Sequence, residues 1–144
     1  MASTVANKIK YLLAKKIIDF SADTFKIILM QSGYTFNKDA HHAYADVSAS
    51  ELTSGNGYTA GGATLGGVAV TEDDTDDRTE ITWTNATWTA NAGSIGPTPG
   101  AIIYDDTVAA PTAKPIVCYI DFGGDQTQAD GGTATISNLE VRIA

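Results

Sequence analysis

Three groupings of side chains in this 144-residue chain have types and spacings that could do chemistry. Glu72, Asp73, Asp74, Asp76 and Asp77 put five carboxylates within six residues, the donor type that hard cations such as Ca²⁺ take. An EF-hand loop also needs a glycine at its sixth position, a glutamate at its twelfth and flanking helices; none of these is here, so the run reads as a solvated loop between strands. His41 and His42 could ligate a metal, but adjacent residues of an extended chain point apart and no third ligand stands at a suitable spacing, so they read as surface residues. Cys118 is the single cysteine, which excludes an intrachain disulfide and a Cys-rich metal knuckle. It lies in the most apolar stretch of the chain, where a thiol serves as a small hydrophobe rather than as a nucleophile.

Two further motifs fail on context. Gly55, Gly57, Gly61 and Gly62 look like a phosphate-cradling loop, yet such a loop needs a strand before it and a helix after it. The next residues, Ala63 to Val70, have a β pattern instead, so the glycines read as positive-φ turns and bulges. No serine sits in a Gly-x-Ser-x-Gly elbow, and the acidic run has no burial to push its pKa values apart. The residues therefore argue for a protein that is not an enzyme and that needs neither a cofactor nor a metal.

Around these residues the chain is patterned mainly for strands. Gly100 to Phe122 holds two apolar runs, Ala101 to Tyr104 and Pro115 to Phe122, which flank a polar connection and read as an antiparallel pair at the centre of the fold. Thr24 to Gln31 predicts the first strand, and further strands are expected over 64–71, 78–84, 86–90, 133–137 and 139–143. Trp83 and Trp88 read as core anchors rather than as a sugar-binding pair. Gly93 to Gly100 reads as a loop by its prolines, and Gly123 to Gly132 as turn-forming. Residues 4–20 predict one helix, N-capped by Ser3 or Thr4, with Val5, Ile9, Leu12, Leu13, Ile17 and Phe20 on the buried side. Tyr11 and Ile18 fall near the opposite side, beside Lys8 and Lys15. From Tyr34 to Gly62 the chain is polar and Gly/Ser-rich, with a brief extended piece around Tyr44 to Val47; so long an excursion is the place to look for partner contacts. The expected fold is an all-β sandwich, of jelly-roll type in its most specific form, with one N-terminal helix: a helical arm over 1–22 and a single domain over 23–144.

Composition bounds the partners. The formal charge is −8, which opposes binding to a phosphate backbone and makes nucleic acid an unsuitable partner. Residues 1–40 nevertheless carry six Lys and three Asp, a basic segment on an acidic body that could serve assembly. Lysines interrupt the N-terminal apolar residues, so no signal peptide is read, and no apolar run reaches the ~18 residues of a membrane span. The expectation is a protein made in a cytoplasm that acts away from membranes.

The order Gly55-Asn56-Gly57-Tyr58-Thr59-Ala60-Gly61-Gly62, then a strand containing Trp83, then Ile102-Ile103-Tyr104-Asp105-Asp106-Thr107, then a strand ending Tyr119-Ile120-Asp121-Phe122-Gly123, resembles small virion structural proteins of tailed bacteriophages. Such proteins often open with a short helix followed by a run like Asp23 to Leu29. The resemblance spans most of the chain, but its motifs are turn glycines and core aromatics, so it implies fold and virion membership more than a particular role. It implies a capsid decoration protein on the capsid surface, with the major capsid protein as partner and a homo-oligomeric, dimeric or trimeric, state. A place at the neck or tail, or a carbohydrate- or receptor-binding head-fibre module, is the alternative. The residues expected at the interface are Lys8, Tyr11, Lys15 and Ile18 of the helix and Tyr34, Phe36, His41, His42 and Tyr44 of the long excursion.

Overall fold

The computed structural model describes residues 2–144. It is an all-β, sandwich-like fold with short helical segments. Ten strands are formed: β1 Ala2–Val5, β2 Phe25–Leu29, β3 Ala63–Thr64, β4 Ala69–Asp73, β5 Arg78–Trp83, β6 Ala86–Thr89, β7 Ile95–Asp105, β8 Ile116–Gln128, β9 Thr133–Ile136 and β10 Leu139–Ile143. They make a five-stranded sheet in the order β1-β8-β7-β2-β3, a three-stranded sheet β10-β5-β4 and a two-stranded ribbon β6-β9, with every pair antiparallel.

The apolar runs of β2, β7 and β8 are buried on both faces, so each strand feeds two cores. Phe25, Ile27 and Leu29 of β2, with Ala101 and Ile103 of β7 and Cys118 and Ile120 of β8, face Ile81, Trp83, Trp88, Ile136, Leu139 and Val141 of the two smaller sheets. Phe20, Phe25 and Trp83 form an aromatic cluster there, with ring centroids 5.1–6.1 Å apart. On the opposite face Ile28, Met30, Ile102, Tyr104, Ile116 and Tyr119 make a second core. Within its apolar half the alternation along β8 is broken at Val117. Ile103 pairs with Cys118 but Tyr104 pairs with Ile116, so Val117 is an extra residue, and it joins Cys118 in the first core.

The N-terminal segment differs from the expected arm. Ser3 and Thr4 lie in β1, paired with Ile120 and Tyr119, and the helix α1 spans only Asn7–Ala14 behind an Ala6 N-cap that makes no side-chain bond. The Lys16 N–H reaches the Leu13 carbonyl and the Ile17 N–H reaches that of Leu12, the paired bonds of a Schellman motif with Lys16 at φ +55°. The chain turns there, and Ile18 and Phe20 enter the core with Ile9 and Leu12. Residues 2–22 thus pack into the same core as the strands, and Ile18 is buried, contrary to its place on an uninterrupted helical wheel.

Two other stretches differ from expectation. The proline-containing segment before Gly100 continues as strand: Ile95 pairs with Gln128 and Thr98 with Gln126, through bulges that tolerate the missing proline N–H groups. Residues expected as turns after Phe122 form the other half of this ribbon. Tyr44–Val47, expected to be extended, is the helical turn α2, because the Asp46 carboxylate accepts the N–H groups of His42 and Ala43 at 2.9 Å each. The Ala43 bond is the leading cause that holds Asp46 below the usual carboxylate range.

Candidate interaction surface

The outward side of α1 is basic and aromatic. Tyr11 is 51% exposed, and Lys8 places its ammonium 4.9 Å from the centre of the Tyr11 ring, a cation–π contact at the surface. Lys10, Lys15 and Lys16 stand exposed nearby in sequence. Ile18 does not belong to this surface, since only 5% of it is exposed.

The excursion from Tyr34 to Gly62 covers the second face of the large sheet instead of standing free. Tyr34 and Phe36 pack on Tyr119 with centroids 5.7 and 5.5 Å away, and His41 lies 5.7 Å from each of the two rings. The Tyr34 hydroxyl and His41 Nδ1 are 2.9 Å apart. Tyr44 stacks on Tyr104 at 4.9 Å. His42 is half-buried, with an Nδ1 that meets no partner among the described residues. The five excursion residues expected to meet a partner are therefore half-buried on their own sheet, and the excursion is needed for the core.

What fastens it is Glu51, a 5% exposed carboxylate. It accepts hydrogen bonds from the Tyr44 hydroxyl at 2.5 Å, the Tyr58 hydroxyl at 2.7 Å and the Gly61 N–H at 2.7 Å. The Tyr58 oxygen in turn accepts from the Leu29 N–H, and the Tyr104 hydroxyl donates to the Gly61 carbonyl. Burial and the Glu51 partner push the Tyr44 phenol up to about 12, and burial raises that of Tyr58 further. The glycine motif of 55–62 thus serves a buried polar network, for which the sequence carries no local pattern.

Other reactive groups are occupied structurally. Cys118 is fully buried, and desolvation pushes its thiol up to about 12, so no thiolate is available as a nucleophile. Arg78 ties down the acidic run, reaching Asp73, Asp76 and Glu80 at 3.2, 3.0 and 2.7 Å. Asp106 is held between Lys26 at 3.1 Å and Lys114 at 2.8 Å. Asp105, beside it, is wholly buried: Oδ1 accepts the Thr107 and Val108 N–H groups, while Oδ2 meets no donor among the described residues. Burial, assisted by the neighbouring Asp23 carboxylate, raises its pKa to about 6. Among the described residues no three His, Cys, Asp or Glu side chains gather as a metal cage.

Fold and surface together define a class, a sandwich-like β protein whose helix presents a basic, aromatic outer side on an acidic body. No family model, no curated protein and no solved structure matches the chain.

Proposed function

We propose that the protein is a non-enzymatic structural subunit of a tailed-phage virion, a capsid decoration protein that stabilises the shell by bridging major capsid subunits. The motif order from Gly55 to Gly123 supports the virion reading by resemblance. The observation that carries the contact is Tyr11, the one large aromatic more than half exposed among the described residues, set within Lys8, Lys10 and Lys15. An aromatic anchor with a polar rim is the anatomy of an interface centre, and the lysines suit an acidic patch on the partner. Bridging makes one patch serve repeatedly, which favours a dimer or trimer on the particle.

A ligand that binds the assembled shell but not its separated subunits stabilises the shell by mass action. Particles that lack the protein should lose their DNA at a lower temperature than complete ones, and added protein should restore the difference. Equal heat resistance of the two kinds of particle would defeat the proposal.

A further inference from the structure

Where the distal half of the β7–β8 ribbon parts from the β6–β9 ribbon, a cleft of about 430 Å³ opens. That volume lies in the range of small-molecule sites. Trp88, Ile95 and Phe122 give it an apolar side. Gln126 and Gln128 give it a polar one, and no acidic, basic or histidine side chain lines it among the described residues, although the chain carries a net −8.

Gln126 and Gln128 are two residues apart on β8, so both amides project from the same face of the strand, roughly 7 Å apart. Each is weakly held: the Gln126 amide nitrogen lies 3.5 Å from the Gly124 carbonyl and that of Gln128 3.4 Å from the Ala129 carbonyl, at the long limit of a hydrogen bond. Donors and acceptors that the fold leaves weakly engaged are free for a ligand to engage.

The lining selects by exclusion. A charged ligand would give up hydration without meeting a countercharge. A purely aliphatic one would cover the amides without replacing their water bonds. A ligand with one face of C–H groups and an edge of neutral hydroxyls satisfies both sides at once. We propose that this cleft is a binding site for a neutral carbohydrate, a hexose or N-acetylhexosamine ring with its C–H face toward Phe122 and its hydroxyls toward Gln126 and Gln128. The site is independent of the capsid contact on α1 and would add glycan binding to a structural subunit.

The test tracks the Trp88 indole resonance of the full chain by NMR during titration with glucose, galactose, mannose and N-acetylglucosamine, and with their neutral tetrasaccharides, to about 50 mM. A saturable shift is expected, and tighter binding of a tetrasaccharide than of its monomer identifies the end of a surface glycan rather than a free sugar. The double substitution Gln126→Ala and Gln128→Ala, on an open ribbon, should keep the melting temperature and weaken binding by about tenfold or more. Ala134→Trp, a half-buried lining position on the same ribbon face as Trp88, should block it independently. No shift with any sugar, an unchanged affinity in both variants, or equal binding of glucuronic acid would overturn the proposal.

Discussion

Asp105 carries its charge problem inside the fold, and its consequence runs opposite to that of Asp46 and Asp106. A folded-state pKa of about 6, above the ordinary 3.8, means that the folded protein holds this proton more tightly than the unfolded chain. The stabilisation from Asp105 is therefore complete below pH ~3.8 and lost as pH rises through about 6, whereas Asp46 and Asp106, both held low, lose theirs as the medium becomes acid. Asp105→Asn retains an oxygen for the Thr107 and Val108 N–H groups and offers Asp23 a permanent donor. Melting curves from pH 4 to 8 should show the variant gaining on the wild type as pH rises through 6; a gap independent of pH would show that Asp105 does not titrate there. The helix offers a second contrast at this scale. Ile18→Ser empties a core position and should cost about 3 kcal/mol or more, while Tyr11→Ser should stay within about 0.5 kcal/mol of the wild type. Denaturant unfolding of the pair checks this, and only the Tyr11 variant then serves as a clean probe of capsid attachment.

Among the elements, the approach of the Gly61-Gly62 turn to β2 is the most exacting. A Cβ on Gly62 would stand 1.9 Å from the Ile27 carbonyl oxygen, at φ +75°, whereas one on Gly61 would meet open space at φ +92°. Gly61→Ala should cost about 1–2 kcal/mol for its backbone conformation alone, and Gly62→Ala clearly more, because the β2–β3 pairing must move as well. Equal losses in a thermal melt would contradict this account of the turn. The strands are legible in the sequence where β-branched and aromatic residues run together: β2, β5, β6 and the paired halves of β7 and β8 fall where they are expected, with Trp83 and Trp88 as core anchors. The end of α1 is not legible, because the left-handed position that usually announces a helix end with glycine is occupied by Lys16, and a helical wheel drawn through it turns Ile18 outward. The excursion escapes sequence reading for a related reason. Its apolar residues are spaced too irregularly to show a period, yet Tyr34, Phe36, Tyr44 and Val47 are drawn inward by a sheet whose second face would otherwise stand bare, and Tyr58 enters the first core beside Trp88. The candidate surface is half legible: Tyr11 and its lysines come from helical spacing, while the cleft beside Gln126 and Gln128 depends on two ribbons meeting, which local pattern does not encode.

The whole molecule presents a few lysines on one helix and carboxylates over much of the rest, with net charge −8. Such asymmetry orients a protein against a larger surface before any close contact forms, and long-range steering of this kind weakens as salt rises. The strand β4 ends in the acidic run and its outer edge is unpaired, so like charges oppose pairing of that edge with its own copy. Under the proposed function both features favour assembly through α1. The excursion is occupied by its own sheet, so under the proposed function the helix would supply the shell contact and the ribbons would point outward. The most direct measurement is a cryo-EM map of the intact virion. The account predicts density for this chain at capsomer boundaries, as a dimer or trimer, with Tyr11 and Lys8 against the major capsid protein and the Glu72 to Asp77 turn in solvent. Density confined to the neck or tail, or a copy on the capsid seated on its acidic turn with α1 facing outward, would contradict it.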